Sequence, residues 1–117
     1  MVKEFSIDQH ATDQGAVVLR VTGRLDARNA QTLLQTCREM EEKGSKNLVL
    51  NLSEVTFVAS SGIGTLLALT EEFADASGSV HLVALSDPVM SVVELLNLTQ
   101  FLNIGATEAD ALEAIGA

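Results

Sequence analysis

The chain has 117 residues, of which 47% are hydrophobic and 3% aromatic, and its formal net charge at pH 7 is -9. This size and apolar content fit one compact domain with a real core, which excludes wholesale disorder. The acidity and the scarcity of aromatic rings argue against binding of nucleic acid and of anionic membrane surfaces.

The first segment of the chain has the pattern of a β-hairpin. Residues 5–9 alternate apolar and polar side chains, which is typical of a short edge strand. Residues 16–22 are apolar and β-branched and predict a more central strand. A turn through residues 12–15 would join the two strands in antiparallel order.

A helix is predicted next. Asp26 can cap a helix that begins near Ala27, and Gly44 is a natural stop. Apolar residues recur along it at steps of three and four, so they form one buried face. Cys37 lies on that face, so we expect it to fill the core; being the single cysteine, it can form no internal disulfide. The predicted face consists of Ala30, Leu33, Leu34, Cys37 and Met40.

The central segment predicts two buried strands, at residues 48–52 and 80–85, with a helix between them that ends near Gly78. Either Ser60 or Ser61 is expected to cap this helix, because a serine oxygen can accept from an unpaired amide of the first turn. The predicted apolar face of the helix consists of Ile63, Leu66, Leu67, Thr70, Phe73 and Ala74.

The last segment begins with Asp87-Pro88, which favours a helix start with Pro88 at the first position. Val89, Val92, Val93 and Leu96 are predicted to line its apolar face, and Asn97 to end it. Residues 101–104 predict a short last strand, and a capping box from Thr107 predicts a terminal helix.

Alternation of apolar strands with helices predicts an α/β fold in one domain spanning residues 1–117. Its sheet is expected to be mixed and mostly parallel, with four to five strands and about four helices. We expect no membrane insertion and a cytoplasmic location, since no apolar run reaches about 18 residues and the first residues lack a signal-peptide core.

Motifs for catalysis, metal binding and cofactor binding are missing from the sequence. No H-E-x-x-H or C-x-x-C occurs, and the two histidines fit ordinary strand positions. Gly62-Ile63-Gly64 suggests a nucleotide loop, but Leu67 stands where a dinucleotide motif needs glycine, and no Gly-Lys pair follows. We therefore expect no enzymatic activity, no metal and no cofactor.

Two serines and two glycines at the start of the central helix are only partly explained by capping. A helix N-terminus carries unpaired amides and a partial positive charge, so it tolerates a phosphate on a serine there. That phosphate would add roughly -1.5 to -2 charges to a surface patch and could end the binding of a partner. Capping alone and capping with a phosphorylation switch both remain open on the pattern.

The runs GRLD, LVLNLSEVTFVASSGIG and VHLVALSDPVMSVVELLNLTQFL together resemble the STAS domain, and more closely bacterial anti-sigma factor antagonists. The resemblance covers nearly the whole chain. It implies a small mixed sheet with helices mainly on one side. It also implies binding to an anti-sigma factor that is a Ser/Thr kinase with a histidine-kinase-like ATPase fold. Phosphorylation of the antagonist by this kinase would end the binding. A phosphatase would remove the phosphate and restore the binding.

Site residues follow from the resemblance by position. Ser60 corresponds to the phosphoacceptor, and Asp26 to an acidic residue near it. Ala59 stands where the family has an aspartate, a departure from the motif that bears on the phosphorylation site. The implied partner-binding surface consists of Asp26, Ala59, Ser60, Ser61, Gly62, Ile63 and Gly64.

Three functions stay open at this point. The first is an anti-sigma factor antagonist that regulates transcription indirectly. The second is a STAS-like accessory subunit of a signalling or lipid-transport complex that is never phosphorylated. The third, a small nucleotide-binding protein or enzyme, is opposed by Leu67 and by the missing Gly-Lys pair.

Overall fold

The structure is a computed structural model that describes residues 3–12 and 15–116. Its elements follow the predicted order of strands and helices. They are β1 (Ser6–Ala11), β2 (Ala16–Leu25), α1 (Ala27–Glu42), β3 (Asn47–Val58), α2 (Ser60–Asp75), β4 (Ser79–Val83), α3 (Asp87–Leu95), β5 (Asn103–Gly105) and α4 (Glu108–Ala114).

The five strands form one sheet in sequence order, β1-β2-β3-β4-β5. β1 is antiparallel to β2, and the remaining pairs are parallel. Right-handed crossovers between strands added in this order place every connecting helix on the same face. The predicted mixed, mostly parallel sheet is therefore confirmed. The predicted turn at residues 12–15 lies partly outside the described residues.

Alternating strand residues divide the core into two layers. Strand residues such as Leu19, Leu50 and Leu82 face α1, α2 and α3 in the larger cluster. Val18, Val49 and Val83 point to the other face, where α4 packs on them through Ala111. The helices thus lie mainly on one side, as expected for this fold.

Cys37 is fully buried on α1, as predicted. Burial raises the pKa of its thiol to about 12, because a thiolate is poorly solvated among apolar side chains. The thiol therefore remains protonated and fills space in the core.

Some boundaries differ from the predicted ones. α2 ends at Asp75, before Gly78, because Ser77 adopts the left-handed conformation that closes the helix. Gly78 has a separate role: a Cβ there would lie 1.9 Å from the carbonyl oxygen of Lys46, so only glycine fits. β5 begins at Asn103, which leaves Phe101 in the preceding turn.

α3 begins at Asp87, so Pro88 takes the second helical position. Asn97 ends the helix in the left-handed conformation, as predicted. Leu96 was expected on the buried face but is 51% exposed, because the helix stops at Leu95 and the chain turns away from the sheet. Within the described residues, no helix is both long and apolar enough to cross a membrane.

Candidate functional site

The site lies where β2 and β3 extend beyond the rest of the sheet. β3 pairs with β4 only as far as Asn51, but it pairs with β2 up to the Leu25–Val58 pair. The second half of β3 therefore has a strand neighbour on one side only. Ser86 supports it from the other side, donating its hydroxyl to the carbonyl of Val55 at 2.6 Å.

A tertiary hydrogen bond fixes where α2 begins. The amide of Ala59 donates to the carbonyl of Leu25 at 3.0 Å, which ties the end of β3 to the end of β2. Ala59 keeps an extended backbone and is the N-cap residue. The first helical hydrogen bond runs from the amide of Ile63 to the carbonyl of Ala59, at 3.1 Å.

The expectation that Ser60 or Ser61 caps α2 is wrong. Both serines lie inside the helix, at its first two positions, and the N-cap residue is Ala59. Ala59 has no side-chain acceptor, so α2 starts without a side-chain cap hydrogen bond. Ser60 and Ser61 are both exposed at this uncapped start.

Gly62, Ile63 and Gly64 follow the serines with unequal exposure. Gly62 and Ile63 are buried, whereas Gly64 is exposed. A Cβ on Gly62 would lie 2.7 Å from the carbonyl oxygen of Leu25, so glycine allows α2 to press against the end of β2. A Cβ on Gly64 would meet no atom within 4 Å. Gly62 and Ile63 therefore shape the surface from below, and Ser60, Ser61 and Gly64 form it.

Asp26 lies at the neighbouring strand end. Its carboxylate accepts from the amide of Asn29 at 3.0 Å and caps α1, as predicted. Asp26 follows Leu25, whose carbonyl holds Ala59. The structure thus brings Asp26, Ala59 and Ser60 to the same edge of the sheet.

Arg24 and Phe57 extend this edge; both lie in the runs that carry the family resemblance, but neither was predicted as a site residue. They are register partners on β2 and β3, one pair before Leu25 and Val58. The Arg24 guanidinium lies 4.1 Å from the centroid of the Phe57 ring, a cation–π contact. Phe57 is 37% exposed. The two residues become neighbours because β2 pairs in parallel with β3 as far as Leu25. The predicted strand ended at residue 22, so the sequence did not suggest this pairing.

The described residues provide little for catalysis. No group of three His, Cys, Asp or Glu side chains in residues 3–12 and 15–116 is arranged to hold a metal ion. His81 is half-buried beside Ser79, and desolvation lowers its pKa. The arrangement near Ser60 offers instead an accessible hydroxyl, unpaired backbone donors and an aromatic–cationic pair, which suit recognition by another protein.

The fold and this edge define a small α/β domain with an exposed serine pair at a strand–helix junction. A family model of the STAS domain matches residues 9–111. The chain belongs to the STAS domain family, which confirms the resemblance in the sequence.

Several relatives are similar over nearly the whole chain. The anti-sigma F factor antagonist of Paenibacillus polymyxa is 23% identical over 100 residues, covering 85% of this chain and 86% of that protein. The crystal structure of an anti-sigma factor antagonist from Mycobacterium paratuberculosis is 26% identical, covers 97% of this chain and 96% of that chain, and has a TM-score of 0.85.

A further solved relative is the Bacillus cell fate determinant SpoIIAA. Its unphosphorylated form is 22% identical, with a TM-score of 0.78 and coverage of 94% of this chain and 96% of that chain. Its phosphorylated form matches with a TM-score of 0.72. At this identity the likeness establishes the shared fold.

Proposed function

We propose that this protein is an anti-sigma factor antagonist. It binds an anti-sigma factor that is also a Ser/Thr kinase, and phosphorylation of Ser60 by that kinase ends the binding. A phosphatase restores the active form, so transcription is regulated indirectly. The observation that carries the proposal is the exposure of Ser60 at the first position of α2, next to a helix start without a side-chain cap.

The helix start gives a physical reason why a phosphate on Ser60 would be compatible with the fold. The amides of Ser60, Ser61 and Gly62 precede the first helical hydrogen bond, which Ile63 donates. Such amides and the helix dipole attract an anion. SpoIIAA, which has the same fold, exists in phosphorylated and unphosphorylated forms. Phosphorylation would change the charge of the surface without requiring a change of fold.

Charge on this edge would act directly on a bound partner. A phosphate adds roughly -1.5 to -2 charges. If the partner packs on Ser60, Ser61 and the Arg24–Phe57 pair, the phosphate must be desolvated or repelled. A loss of about 3 kcal/mol would weaken binding by roughly a hundredfold.

Phosphate transfer tests the acceptor. The protein is incubated with ATP and the anti-sigma factor kinase from its own cells, and intact mass is measured. We expect one phosphate on the wild type and on Ser61→Ala, and none on Ser60→Ala. Ser61 is the matched control because it is also exposed, one position further along the helix. Phosphate retained by Ser60→Ala would exclude Ser60 as the acceptor.

Affinity for the same anti-sigma factor tests the switch. Ser60→Ala should bind like the wild type, and Ser60→Asp should bind at least about tenfold more weakly, because a carboxylate inserts part of the charge of a phosphate. Equal affinities for the two variants would contradict a switch based on charge.

Ala59 favours a second candidate, a STAS accessory subunit of a signalling or lipid-transport complex that is never phosphorylated. The resemblance to anti-sigma factor antagonists implies an aspartate at this position, and Ala59 offers no such carboxylate beside Ser60. Intact mass of the protein purified from its own cells, across growth conditions, separates the candidates. Absence of phosphate in every condition supports the accessory subunit.

A further inference from the structure

A groove separates α2 from the segment that follows α3. α1 packs along one side of α2, whereas the other side faces this groove, which has a volume of about 550 Å³. We call it the α2–α3 groove; it is lined by Leu67, Thr70, Glu71, Ala74, Leu98 and Phe101. It is distinct from the Ser60 edge, since Leu67 lies seven residues along α2, about 10 Å at 1.5 Å per residue.

α2 has more apolar side chains than those that pack in the core. Leu66, Leu69 and Phe73 are buried against the sheet. Leu67 is only partly buried, and Ala74 is exposed. A second apolar stripe of α2 is therefore left facing the groove.

Exposed large hydrophobic side chains concentrate in the segment after α3. Among the described residues four such side chains are recorded, and three of them are Leu95, Leu96 and Phe101, with 82%, 51% and 60% exposure. Phe101 is also a wall of the groove. Leu95 and Leu96 precede the wall residue Leu98 by only three and two residues, and clustered rather than single exposed apolar side chains are typical of binding surfaces.

The part of the chain that supplies the walls of the groove carries charges of one sign. All seven Lys and Arg residues of the protein lie between Lys3 and Lys46, so residues 47–117, which supply every wall of the groove, contain nine acidic residues and no Lys or Arg. Glu71 lies in the wall itself, and Glu94 is exposed on α3. The entire net charge of -9 thus belongs to the part of the chain that forms the groove.

We propose that the α2–α3 groove is a docking site for a basic amphipathic helix of a partner protein. An apolar helix face would cover Leu67, Leu98 and Phe101, as in other helix-in-groove complexes. Lys or Arg side chains beside that face would meet Glu71 on a chain of net charge -9, which favours this partner over an acidic one.

Two other occupants fit the charges less well. A second copy of this chain carries the same net charge of -9, and three of its seven Lys and Arg residues are already paired with its own carboxylates. A membrane with anionic headgroups would be repelled by the net charge of -9. The basic helix therefore meets both the apolar and the electrostatic requirement.

The test uses a labelled model peptide of about 18 residues, roughly five helical turns, with Leu on one face and Lys on the other. A second peptide has Glu in place of every Lys. Fluorescence anisotropy measures both against the full chain. We expect the Lys peptide to bind, and Phe101→Ala to weaken it about tenfold or more, as expected when an aromatic anchor is lost.

Charge reversal separates a specific groove from general attraction. Glu71→Lys should weaken the Lys peptide about threefold to tenfold and strengthen the Glu peptide. Glu113→Lys is the matched control: it makes the same change in net charge on α4, which packs on the opposite face of the sheet, and should change either affinity by less than about twofold.

Three results would overturn the proposal. One is an affinity of Phe101→Ala for the Lys peptide that equals the affinity of the wild type. Another is an equal effect of Glu71→Lys and Glu113→Lys, since attraction would then depend on net charge alone. The third is self-association of the wild type in sedimentation that Phe101→Ala abolishes, because a second copy would then occupy the groove. Melting temperatures verify that the exposed substitutions leave the fold intact.

Discussion

α1 and α2 begin at equivalent places in the fold, but their first turns are capped differently. Each follows a parallel strand and begins at the same edge of the sheet, and the preceding residue has an extended backbone in both. Asp26 closes the start of α1 with its own carboxylate, whereas Ala59 leaves the start of α2 without a side-chain acceptor. The fold therefore satisfies one helix start internally and presents the other to solvent, beside two exposed serines.

This difference separates a helix start with a side-chain cap from one with free amide donors. A capped start offers an external anion one donor fewer, because its third amide is already bonded to the cap. An uncapped start has donors to spare, so a phosphate there can be accommodated. The following substitutions, ordered from the largest expected effect to the smallest, test that distinction in free energy of unfolding.

Gly62→Ala should have the largest effect. Its Cβ would lie 2.7 Å from the carbonyl oxygen of Leu25 and 3.0 Å from Cγ2 of Val58, so α2 must move away from β2. Overpacking of this kind lowers the free energy of unfolding by about 1–3 kcal/mol, measured by urea denaturation. Gly64→Ala, in open space on the same helix, should instead raise it by up to about 1 kcal/mol. Equal effects would show that α2 does not press on β2.

Asp26→Ala should lower the free energy of unfolding by about 1 kcal/mol, because the amide of Asn29 loses its acceptor. Ser60→Ala should change it by less than about 0.5 kcal/mol, since Ser60 caps nothing. The pair is measured in the same urea titrations. A cost at Ser60 as large as that at Asp26 would mean that the serine does cap α2.

Ala59→Asp should stabilise the protein by about 0.5–1 kcal/mol, because it supplies α2 with the acceptor that α1 already has. The new carboxylate can accept from the amide of Gly62, the third helical position, as Asp26 does from Asn29. Thermal unfolding measures the gain, with Ala59→Leu, which offers no acceptor, as control. No difference between the two variants would contradict the missing cap.

α4 supplies the smallest test, because Thr107 caps it and leaves the Glu108 carboxylate free to pair elsewhere. Hydrogen bonds from Arg20 and Asn51 lower the pKa of Glu108 from its ordinary value of 4.5. The stabilisation is therefore present above pH 4.5 and is lost as pH falls through the lowered pKa. Glu108→Gln should cost less than about 1 kcal/mol at pH 7.

Urea midpoints between pH 7 and pH 3 measure the Glu108 effect. The difference between wild type and Glu108→Gln should shrink towards pH 3, because Glu108 itself becomes protonated. Glu113→Gln, exposed on the same helix, provides the control. A difference that stays constant over this range would mean that the ion pair contributes nothing.

Strand and helix order could be predicted because each depends on local sequence. Apolar, β-branched runs gave β2, β3 and β4, and the caps at Asp26 and Thr107 gave the starts of α1 and α4. These strand patterns and helix caps are each determined by a few neighbouring residues, and the tertiary contacts of the fold do not override them. The family motif likewise led to Ser60, although its role as phosphoacceptor remains a prediction.

The start of α2 and the groove could not be predicted in the same way. Serine is a favoured cap, yet the long-range bond from Ala59 to Leu25 sets the start one residue earlier. The apolar positions of α2 were treated as a single buried face, but Leu67 and Ala74 line a groove that depends on where α3 ends. Both features depend on contacts between segments distant in sequence.

The sequential strand order also has a consequence for how the chain acquires its structure. Each new strand docks beside the one made just before it, so no strand has to be inserted between two partners already in place. Connections stay short, which keeps the entropy lost on loop closure small. We expect assembly to proceed from the amino-terminal hairpin outward. Pulsed hydrogen exchange during refolding should protect amides of β2 and β3 before those of β5, and the reverse order would refute this route.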